Sequence, residues 1–355
     1  MTNRTLTTRP LGRSGIDISP VGFGAWAIAG PSWGFGWGAQ DDADSVAAIH
    51  AAVEAGVNWI DTAAIYGAGH SEEVVGRALR ALPRADRPLV FTKCGLVFED
   101  PTDPFGQARK LMRPDVVRRD LEGSLRRLGV EAIDLYQVHW PGDGELLGGV
   151  GDGGSTGDSP LATPLEEYWQ LMADLRAEGK VRAIGLSNHD VALLERAEAV
   201  AHVDAIQPPF SAIHRGAAAE IAWAAAHDTG VIAYSPMVSG LLSGTFDAER
   251  VAALPANDWR RHHPDFTDRL AANLAVADAL ATVAARHAVP VAAAAVAWVL
   301  AWPGVTGAIV GARRPDQLAG WTPATGLRLT SADLTLVADA LVASGAGEGP
   351  LRPAA

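Results

Sequence analysis

Residues 133–140 read IDLYQVHW, a short and largely apolar run that ends beside a histidine. Such runs, apolar on both faces, are typical of the buried strands of a parallel β-sheet. Seven similar runs occur elsewhere in the chain. The sequence therefore predicts eight strands: Val21–Gly24, Asn58–Ala63, Pro88–Cys94, Ile133–Trp140, Val181–Asn188, Ala205–Ser211, Gly230–Pro236 and Thr306–Gly311.

Amphipathic helical patterns separate these runs. After the second run, for example, Val74, Val75, Ala78 and Leu79 form one apolar stripe. Eight strand–helix alternations favour an α/β fold of the closed (β/α)₈ TIM-barrel type. An open, Rossmann-type sheet is the weaker alternative, because no Gly-x-Gly-x-x-Gly motif follows the first strand and opens a helix.

We expect a single barrel domain over residues 1–355. Residues 9–18 predict a short N-terminal hairpin before the first barrel strand. Two long loops are expected at the C-terminal face of the barrel. Residues 142–160, rich in Gly, Asp and Ser, are predicted to be flexible, and residues 240–267 form a long irregular connection. Residues 346–355 are predicted to form a loose tail.

The composition limits the classes of partner. A formal net charge of −12 argues against binding nucleic acid or an anionic membrane surface. Cys94 is the single cysteine, which excludes an intrachain disulfide and suits a reducing compartment. The N-terminus has no apolar signal segment, so we expect a cytoplasmic protein. The run Val289–Trp302 is too short to span a bilayer and predicts a buried helix.

Polar residues end three of the predicted strands, where the active site of such a barrel lies. Asp61, Lys93 and His139 each close an apolar run, and Tyr66 follows the second run by a few residues. A tyrosine with a pKa of about 10 is a poor acid near neutrality. We expect the Lys93 ammonium, held by Asp61, to lower the pKa of Tyr66. His139 is expected to hydrogen-bond a substrate carbonyl oxygen.

The order and spacing of these motifs resemble the aldo-keto reductase family, especially its bacterial oxidoreductase branch. GVNWIDTA at 56–63, Tyr66-Gly67 and IDLYQVHW carry the resemblance, which extends over nearly the whole chain. It implies an enzyme that reduces aldehydes or ketones to alcohols, with a hydride from NADPH and a proton from Tyr66. Its partner would be a small-molecule carbonyl compound.

The resemblance also implies a cofactor site on strands five to eight. Amide and hydroxyl side chains would hold the nicotinamide carboxamide, Tyr234 would stack on the ring, and Arg313 would bind the 2′-phosphate. The implied cofactor residues are Trp26, Asp61, Ser187, Asn188, Gln207, Tyr234, Ser235, Pro236, Met237, Ser239, Gly311, Arg313 and Gln317. The family often has Glu-Asn near the adenine, whereas this chain has Gly320-Trp321 there.

The substrate site is predicted from the aromatic residues that follow strands one and four. Trp33, Trp37 and Trp140 would form an apolar wall around Tyr66 and His139. The alternative is that the Trp-rich segment is only a loop packed on the barrel rim. The histidines lack the spacing of metal ligands, so no metal is expected. The oligomeric state does not follow from the sequence.

Two other functions stay open at this point. Lys93 could be the amine nucleophile of a Schiff-base lyase or aldolase, a common role for a lysine on a barrel strand. The protein could also be a non-catalytic NADPH-binding partner protein. The cofactor-like segments on strands five to eight argue against the lyase, because a Schiff-base enzyme does not need them.

Overall fold

Eight parallel strands close into a barrel, which confirms the predicted fold. The computed structural model describes residues 6–148, 159–255 and 258–353. Each strand pairs with the next along the chain, and the last pairs with the first. Numbered in chain order, the barrel strands are β1 Val21–Gly24, β2 Trp59–Asp61, β3 Leu89–Cys94, β4 Ile133–Val138, β5 Val181–Ser187, β6 Ala205–Gln207, β7 Gly230–Ala233 and β8 Gly307–Gly311.

Several strands end earlier than predicted. β6 stops at Gln207 because Pro208 and Pro209 follow, and proline has no N–H to donate to a neighbouring strand. β7 stops at Ala233 because Ser235 has a φ of 57°, which is incompatible with extended backbone. Tyr234 and Ser235, which the sequence places on a strand, therefore lie on a loop just beyond β7, at the C-terminal face.

Helices surround the barrel, as the amphipathic patterns predict. They are α1 Asp42–Glu54, α2 His70–Ala81, α3 Pro114–Leu128, α4 Leu165–Ala177, α5 Val191–Glu198, α6 Ala218–Ala226, α7 Ala248–Ala252, α8 Leu270–His287, α9 Val291–Leu300 and α10 Ser331–Ser344. α9 is the predicted buried helix, and its residues from Ala292 to Val299 are buried. Within the described residues, no helix is by itself long and apolar enough to cross a membrane, although the sharply bent pair α8–α9 meets that length and composition jointly.

The predicted N-terminal hairpin covers the other end of the barrel. Its strands, Arg9–Pro10 and Asp17–Ile18, pair antiparallel. Leu11 and Ile18 are fully buried and pack in one cluster with Trp59 inside the barrel. The indole of Trp59 lies so close to β1 that a Cβ on Gly22 would come within 2.2 Å of it. The hairpin and this ring therefore pack together at the N-terminal end of the barrel, opposite the C-terminal face.

The described parts of the loops at the C-terminal face contain regular structure. A second hairpin, Leu96–Phe98 with Ala108–Lys110, follows β3. Lys110 forms a buried ion pair with Asp143 at 2.7 Å, so the described start of the predicted flexible loop 142–160 is fixed to this hairpin. Residues 149–158 lie outside the described residues. The long connection 240–267 contains α7 and three short 3₁₀ turns.

The segment predicted to be a loose tail begins with a packed residue. Ala346 is buried, and its carbonyl oxygen accepts a hydrogen bond from Arg215 Nη2 at 3.3 Å. The chain after α10 therefore packs against the loop that follows β6.

Candidate active site

A layer of buried polar side chains crosses the barrel near its C-terminal end. Asp61, Lys93, Gln137, Ser187 and Gln207 belong to five consecutive strands, β2 to β6. Hydrogen bonds link these residues across the barrel. Buried polar groups of this kind are stable only when their hydrogen bonds are made, so each side chain is held in one orientation.

Lys93 lies in the middle of this layer, and its ammonium has three partners. Nζ donates to Asp61 Oδ1 at 2.6 Å, to Thr62 O at 2.9 Å and to Tyr66 Oη at 3.3 Å. An ammonium has three N–H donors, and this arrangement occupies all of them. The structure thus brings together the carboxylate, the amine and the phenol that the sequence singles out.

Tyr66 projects from a short turn after β2, in which Gly67 has a φ of 61° that glycine adopts readily. The phenol ring stacks on Trp26, with ring centroids 5.9 Å apart, and contacts Trp33 at 5.8 Å. The imidazole of His139 meets the same ring edge-on at 5.7 Å. The hydroxyl therefore lies beside an ammonium, and the phenol ring contacts an imidazole and two indoles.

The pKa values of this cluster correct one expectation. Burial raises the pKa of Tyr66 well above its usual value, and the Asp61 carboxylate raises it further. Burial also lowers the pKa of Lys93, although Asp61 opposes that change. The pKa of His139 is held well below 6.5 by burial and by the Lys93 charge. The predicted net lowering of the Tyr66 pKa is thus wrong, and the pocket contains a protonated phenol and a neutral imidazole.

Two amides hold the other oxygen of Asp61. Gln207 Nε2 donates to Asp61 Oδ2 at 2.8 Å and to Gln137 Oε1 at 3.0 Å, and Gln137 Nε2 lies 3.4 Å from the same carboxylate oxygen. The sequence assigns Gln207 to the cofactor site but gives Gln137 no role. A signal was present: Leu135, Gln137 and His139 are two residues apart, and a strand places such residues on one face.

The carboxamide ligands that the sequence predicts meet where β5 ends. Asn188 has a φ of 62°, in the left-handed region. Its Nδ2 donates to His139 O at 2.9 Å and to Ser187 Oγ at 3.1 Å, and its Oδ1 accepts from the Tyr234 hydroxyl at 2.9 Å. Ser187 Oγ donates in turn to Gln207 O at 2.8 Å. These bonds join β4, β5, β6 and β7 at one point.

The loop after β7 has an unusual backbone. Ser235, Val238 and Ser239 have φ values of 57°, 48° and 52°, and Gly240 has a φ of 95°. Left-handed residues other than glycine are uncommon and concentrate at ligand sites. Turns of this kind can direct backbone N–H groups into a concave surface that attracts anions. The loop therefore suits the phosphates of a nucleotide.

Arg313, the predicted ligand of the 2′-phosphate, contacts the loop that follows β1. Its guanidinium donates to Gln40 Oε1 at 2.6 Å, to Trp37 O at 3.1 Å and to Ala39 O. These bonds use three of the five N–H donors of a guanidinium. Gln317, also predicted, accepts a hydrogen bond from the Arg313 backbone N–H at 2.6 Å. No pattern in the sequence indicates the bonds to Trp37, Ala39 and Gln40.

The Trp-rich segment faces the site. Trp33 is 4% exposed, and its ring contacts Phe35 at a centroid distance of 5.7 Å. The ring of Trp37 lies 5.1 Å from the Arg260 guanidinium, which belongs to the loop after β7. Trp140, after β4, is 8% exposed and belongs to the same apolar cluster as Trp33. The segment therefore packs beside the site, as the substrate-wall prediction requires.

A cavity of about 590 Å³ lies at the C-terminal face, within the range of small-molecule sites. Every residue predicted to contact cofactor or substrate lines it, including Tyr66 and His139, whereas Lys93 lies beneath its floor. Gly320 and Trp321 line the end of the cavity near Arg313. The predicted residues, scattered along the chain, thus share one cleft.

The Schiff-base alternative finds no support in this geometry. The Lys93 side chain is 0% exposed, and its ammonium is paired with Asp61. A lysine nucleophile has to be neutral and open to the substrate. Among the described residues, no group of three or more His, Cys, Asp or Glu side chains is arranged to hold a metal ion.

Comparisons with known proteins agree with the fold and show the family of the chain. A model of the Aldo/keto reductase family matches residues 20–341. The chain is 34% identical over 323 residues to aldo-keto reductase YhdN of Bacillus subtilis, covering 90% of this chain and 89% of that protein. It is 31% identical over 338 residues to the NADH-specific methylglyoxal reductase of Escherichia coli, covering 92% and 96%. A solved glycerol dehydrogenase, AKR11B4 from Gluconobacter oxydans, superposes with a TM-score of 0.81 at 34% identity over 100% of both chains.

Proposed function

The chain belongs to the aldo/keto reductase family of oxidoreductases, and we propose that it reduces aldehydes or ketones to alcohols with NADPH, using Tyr66 as the proton donor. The observation that carries this proposal is the position of the Tyr66 hydroxyl. The hydroxyl lies 3.3 Å from Lys93 Nζ. The phenol ring contacts the imidazole of His139 edge-on, and Tyr66 lines the cleft. A complete acid–base cluster also argues against a non-catalytic partner protein.

The cleft has the chemistry that a nicotinamide dinucleotide requires. Ser187 and Asn188 would hold the carboxamide, Tyr234 would pack on the ring, and the left-handed loop after β7 would hold the pyrophosphate. The residues at that loop and beyond it, Ser235, Pro236, Met237, Ser239, Gly311 and Gln317, line the same cavity. When bound, the cofactor supplies the hydride, and the protein supplies orientation and the proton.

Within the cleft, each side chain of the cluster has a separate task. The neutral imidazole of His139 donates a hydrogen bond to the substrate carbonyl oxygen and fixes its direction. Tyr66 gives its hydroxyl proton to that oxygen as the alcohol forms. The Lys93 ammonium then stabilises the phenolate that remains, and Asp61 keeps this ammonium charged. The aromatic wall excludes water, which strengthens each of these interactions.

The preference for NADPH rests on Arg313. Its side chain lines the cleft and keeps two N–H donors beyond those bonded to the loop after β1. A guanidinium pairs well with a phosphate. One relative is named as NADH-specific, so both cofactors belong in the test.

The direct test measures cofactor binding and turnover separately. Purified protein is titrated with NADPH and with NADH by following nicotinamide fluorescence. Reduction is then followed with an aromatic aldehyde, which suits the aromatic wall, and with methylglyoxal, which a relative is named for. Tight cofactor binding without reduction across a broad panel of carbonyl compounds would contradict the proposed reductase and favour a cofactor-binding partner protein.

The assigned acid is tested by Tyr66→Phe with a matched control. General acid catalysis contributes about 10²–10⁴-fold, so Tyr66→Phe should lower turnover by that factor and leave cofactor affinity nearly unchanged. Tyr136→Phe is the control, because Tyr136 is also buried but its hydroxyl lies 3.4 Å from Val117 O. We expect Tyr136→Phe to keep wild-type turnover. Full turnover in Tyr66→Phe would refute the assignment.

A further inference from the structure

Asn188 occupies a backbone conformation that needs support. Its φ of 62° lies in the left-handed region, which side-chain-bearing residues enter at a cost, although asparagine enters it more readily than most. Its side chain nevertheless makes three hydrogen bonds, to His139 O, Ser187 Oγ and the Tyr234 hydroxyl. If the backbone of Asn188 left this conformation, its side chain would move away from all three partners.

The next residue, His189, closes the backbone around Asn188. His189 is 6% exposed, and its Nδ1 lies 2.8 Å from Ser187 O, two residues earlier. Because a carbonyl oxygen only accepts, Nδ1 carries the proton. Nε2 therefore accepts, and its partner is the hydroxyl of Tyr168 on α4, at 3.0 Å. The imidazole thus donates across Asn188 at one end and is anchored to a helix at the other.

Packing alone does not fix this part of the structure. A second cavity, of about 1220 Å³, lies on the side of Tyr168 and His189. Asn188 and Tyr234 line this cavity and also the cofactor cleft, so they form a thin wall shared by both. With a cavity on each side of Asn188, its three side-chain hydrogen bonds help to hold its position.

We propose that His189, anchored by Tyr168, is a positioning residue that holds Asn188 in its left-handed conformation and thereby sets the orientation of the nicotinamide carboxamide. This inference rests on the proposed nicotinamide cofactor. It assigns to His189 and Tyr168 a role that Ser187 and Asn188 alone do not fulfil. The orientation of the carboxamide decides which face of the nicotinamide meets the substrate.

Three variants separate the hydrogen bonds from the size of the ring. His189→Phe keeps a flat ring but loses both bonds. His189→Asn places an amide N–H where Nδ1 stands, so it can still donate to Ser187 O. Tyr168→Phe keeps its ring and removes only the anchor of Nε2. If His189→Phe fails to fold, the other two variants still decide, and thermal unfolding checks that each is folded.

Two readouts report on the carboxamide rather than on the fold. The first is the cofactor dissociation constant, from fluorescence titration without substrate. The second is the fidelity of hydride transfer from NADPH deuterated on one or the other face at C4. We expect His189→Phe to weaken cofactor binding about 5- to 20-fold, as expected for one or two lost hydrogen bonds, and to transfer hydride from both faces. Tyr168→Phe and His189→Asn each lose the bond between the Tyr168 hydroxyl and residue 189 but keep a donor to Ser187 O, so both should show the same changes to a smaller degree.

The outcomes distinguish this inference from the proposed function. A wild-type protein that binds no nicotinamide cofactor would overturn both. Normal wild-type binding with unchanged affinity and single-face transfer in His189→Phe, or in Tyr168→Phe where His189→Phe is unfolded, would overturn the role of His189 alone. Equal damage in His189→Asn and His189→Phe would also overturn it, because the ring and not the Nδ1 donor would then be what matters.

Discussion

Removal of the Lys93 charge should destabilise the barrel as well as abolish turnover. The side chains of Lys93 and Asp61 are 0% and 4% exposed, and Nζ lies 2.6 Å from Oδ1. Lys93→Met keeps most of the aliphatic length and removes the ammonium. The Asp61 carboxylate would then be buried with only the amides of Gln137 and Gln207 as partners. Removing one member of a buried ion pair costs about 3–5 kcal/mol in the free energy of unfolding.

This loss is large enough to measure in a protein of this size. With about 2.1 cal/mol/K of unfolding entropy per residue, the 355-residue chain has an unfolding entropy of roughly 0.75 kcal/mol/K. A loss of about 4 kcal/mol therefore lowers Tm by roughly 5 °C. Calorimetry gives the change in Tm, and urea unfolding followed by tryptophan fluorescence gives the free energy.

A double variant shows whether the unpaired charge is the cause. Asp61→Asn combined with Lys93→Met replaces both charges by neutral groups, and such replacements of buried pairs are often nearly neutral in stability. We expect the double variant to recover most of the lost free energy while its turnover stays low. Lys110→Met is the matched control, since Lys110 forms a buried pair with Asp143 outside the polar layer. It should lose comparable stability and keep its turnover.

Two results would refute this reasoning. The first is a Lys93→Met protein whose free energy of unfolding lies within about 1 kcal/mol of wild type, since that is below the cost of an unpaired buried charge. The second is a double variant that is no more stable than Lys93→Met. Either result would mean that Asp61 does not depend on Lys93 for its stability in the barrel.

Three further outcomes follow from the site. Arg313→Ala should reduce the preference for NADPH over NADH about 10- to 150-fold, from a charge-assisted bond of about 1.5–3 kcal/mol. Arg314→Ala is the control, because Arg314 is exposed and pairs with Asp316 at 3.2 Å. Titration of this variant with both cofactors should give the wild-type ratio of NADPH to NADH affinity. The pKa of His139 lies well below 6.5, so acidification protonates the unfolded chain first and lowers the free energy of unfolding. His139→Gln should make that fall smaller between roughly pH 7 and pH 5 in urea titrations, and an equal fall would contradict the burial argument. Trp33→Ala should raise KM for an aromatic aldehyde by about tenfold and change KM for methylglyoxal little, because only the larger ring fills the aromatic wall; equal changes would exclude a wall role.

The barrel was predictable because its strands are short apolar runs of a kind that parallel sheets require. Asp61, Lys93 and His139 stood out for the same reason, since a polar side chain at the end of an apolar run is costly without a partner. Gln137 did not stand out, because its amide is not ionisable and therefore suggests no acid–base role. Only the two-residue period of the strand, counted from Leu135, places it in the polar layer.

The contacts of Arg313 show what a local pattern leaves out. Barrel closure pairs β8 with β1, so the loops after these strands are neighbours in any such fold. Which acceptors meet the guanidinium depends on the path of residues 37–40, and no periodicity encodes that path. Arg313 was therefore predicted to be at the site, but its bonds to Trp37, Ala39 and Gln40 were not predictable.

The pKa of Tyr66 is raised rather than lowered, again because of a contact that no local pattern shows. A lone ammonium beside a phenol lowers its pKa, but Lys93 is paired with Asp61 at 2.6 Å. Tyr66 therefore faces an ion pair with little net charge, while burial and the Asp61 carboxylate both favour the neutral phenol. A phenol that stays protonated is what a proton donor to a carbonyl requires. In the proposed mechanism the ammonium would stabilise the phenolate only as the proton leaves, so its effect would lie in the transition state rather than in the resting enzyme.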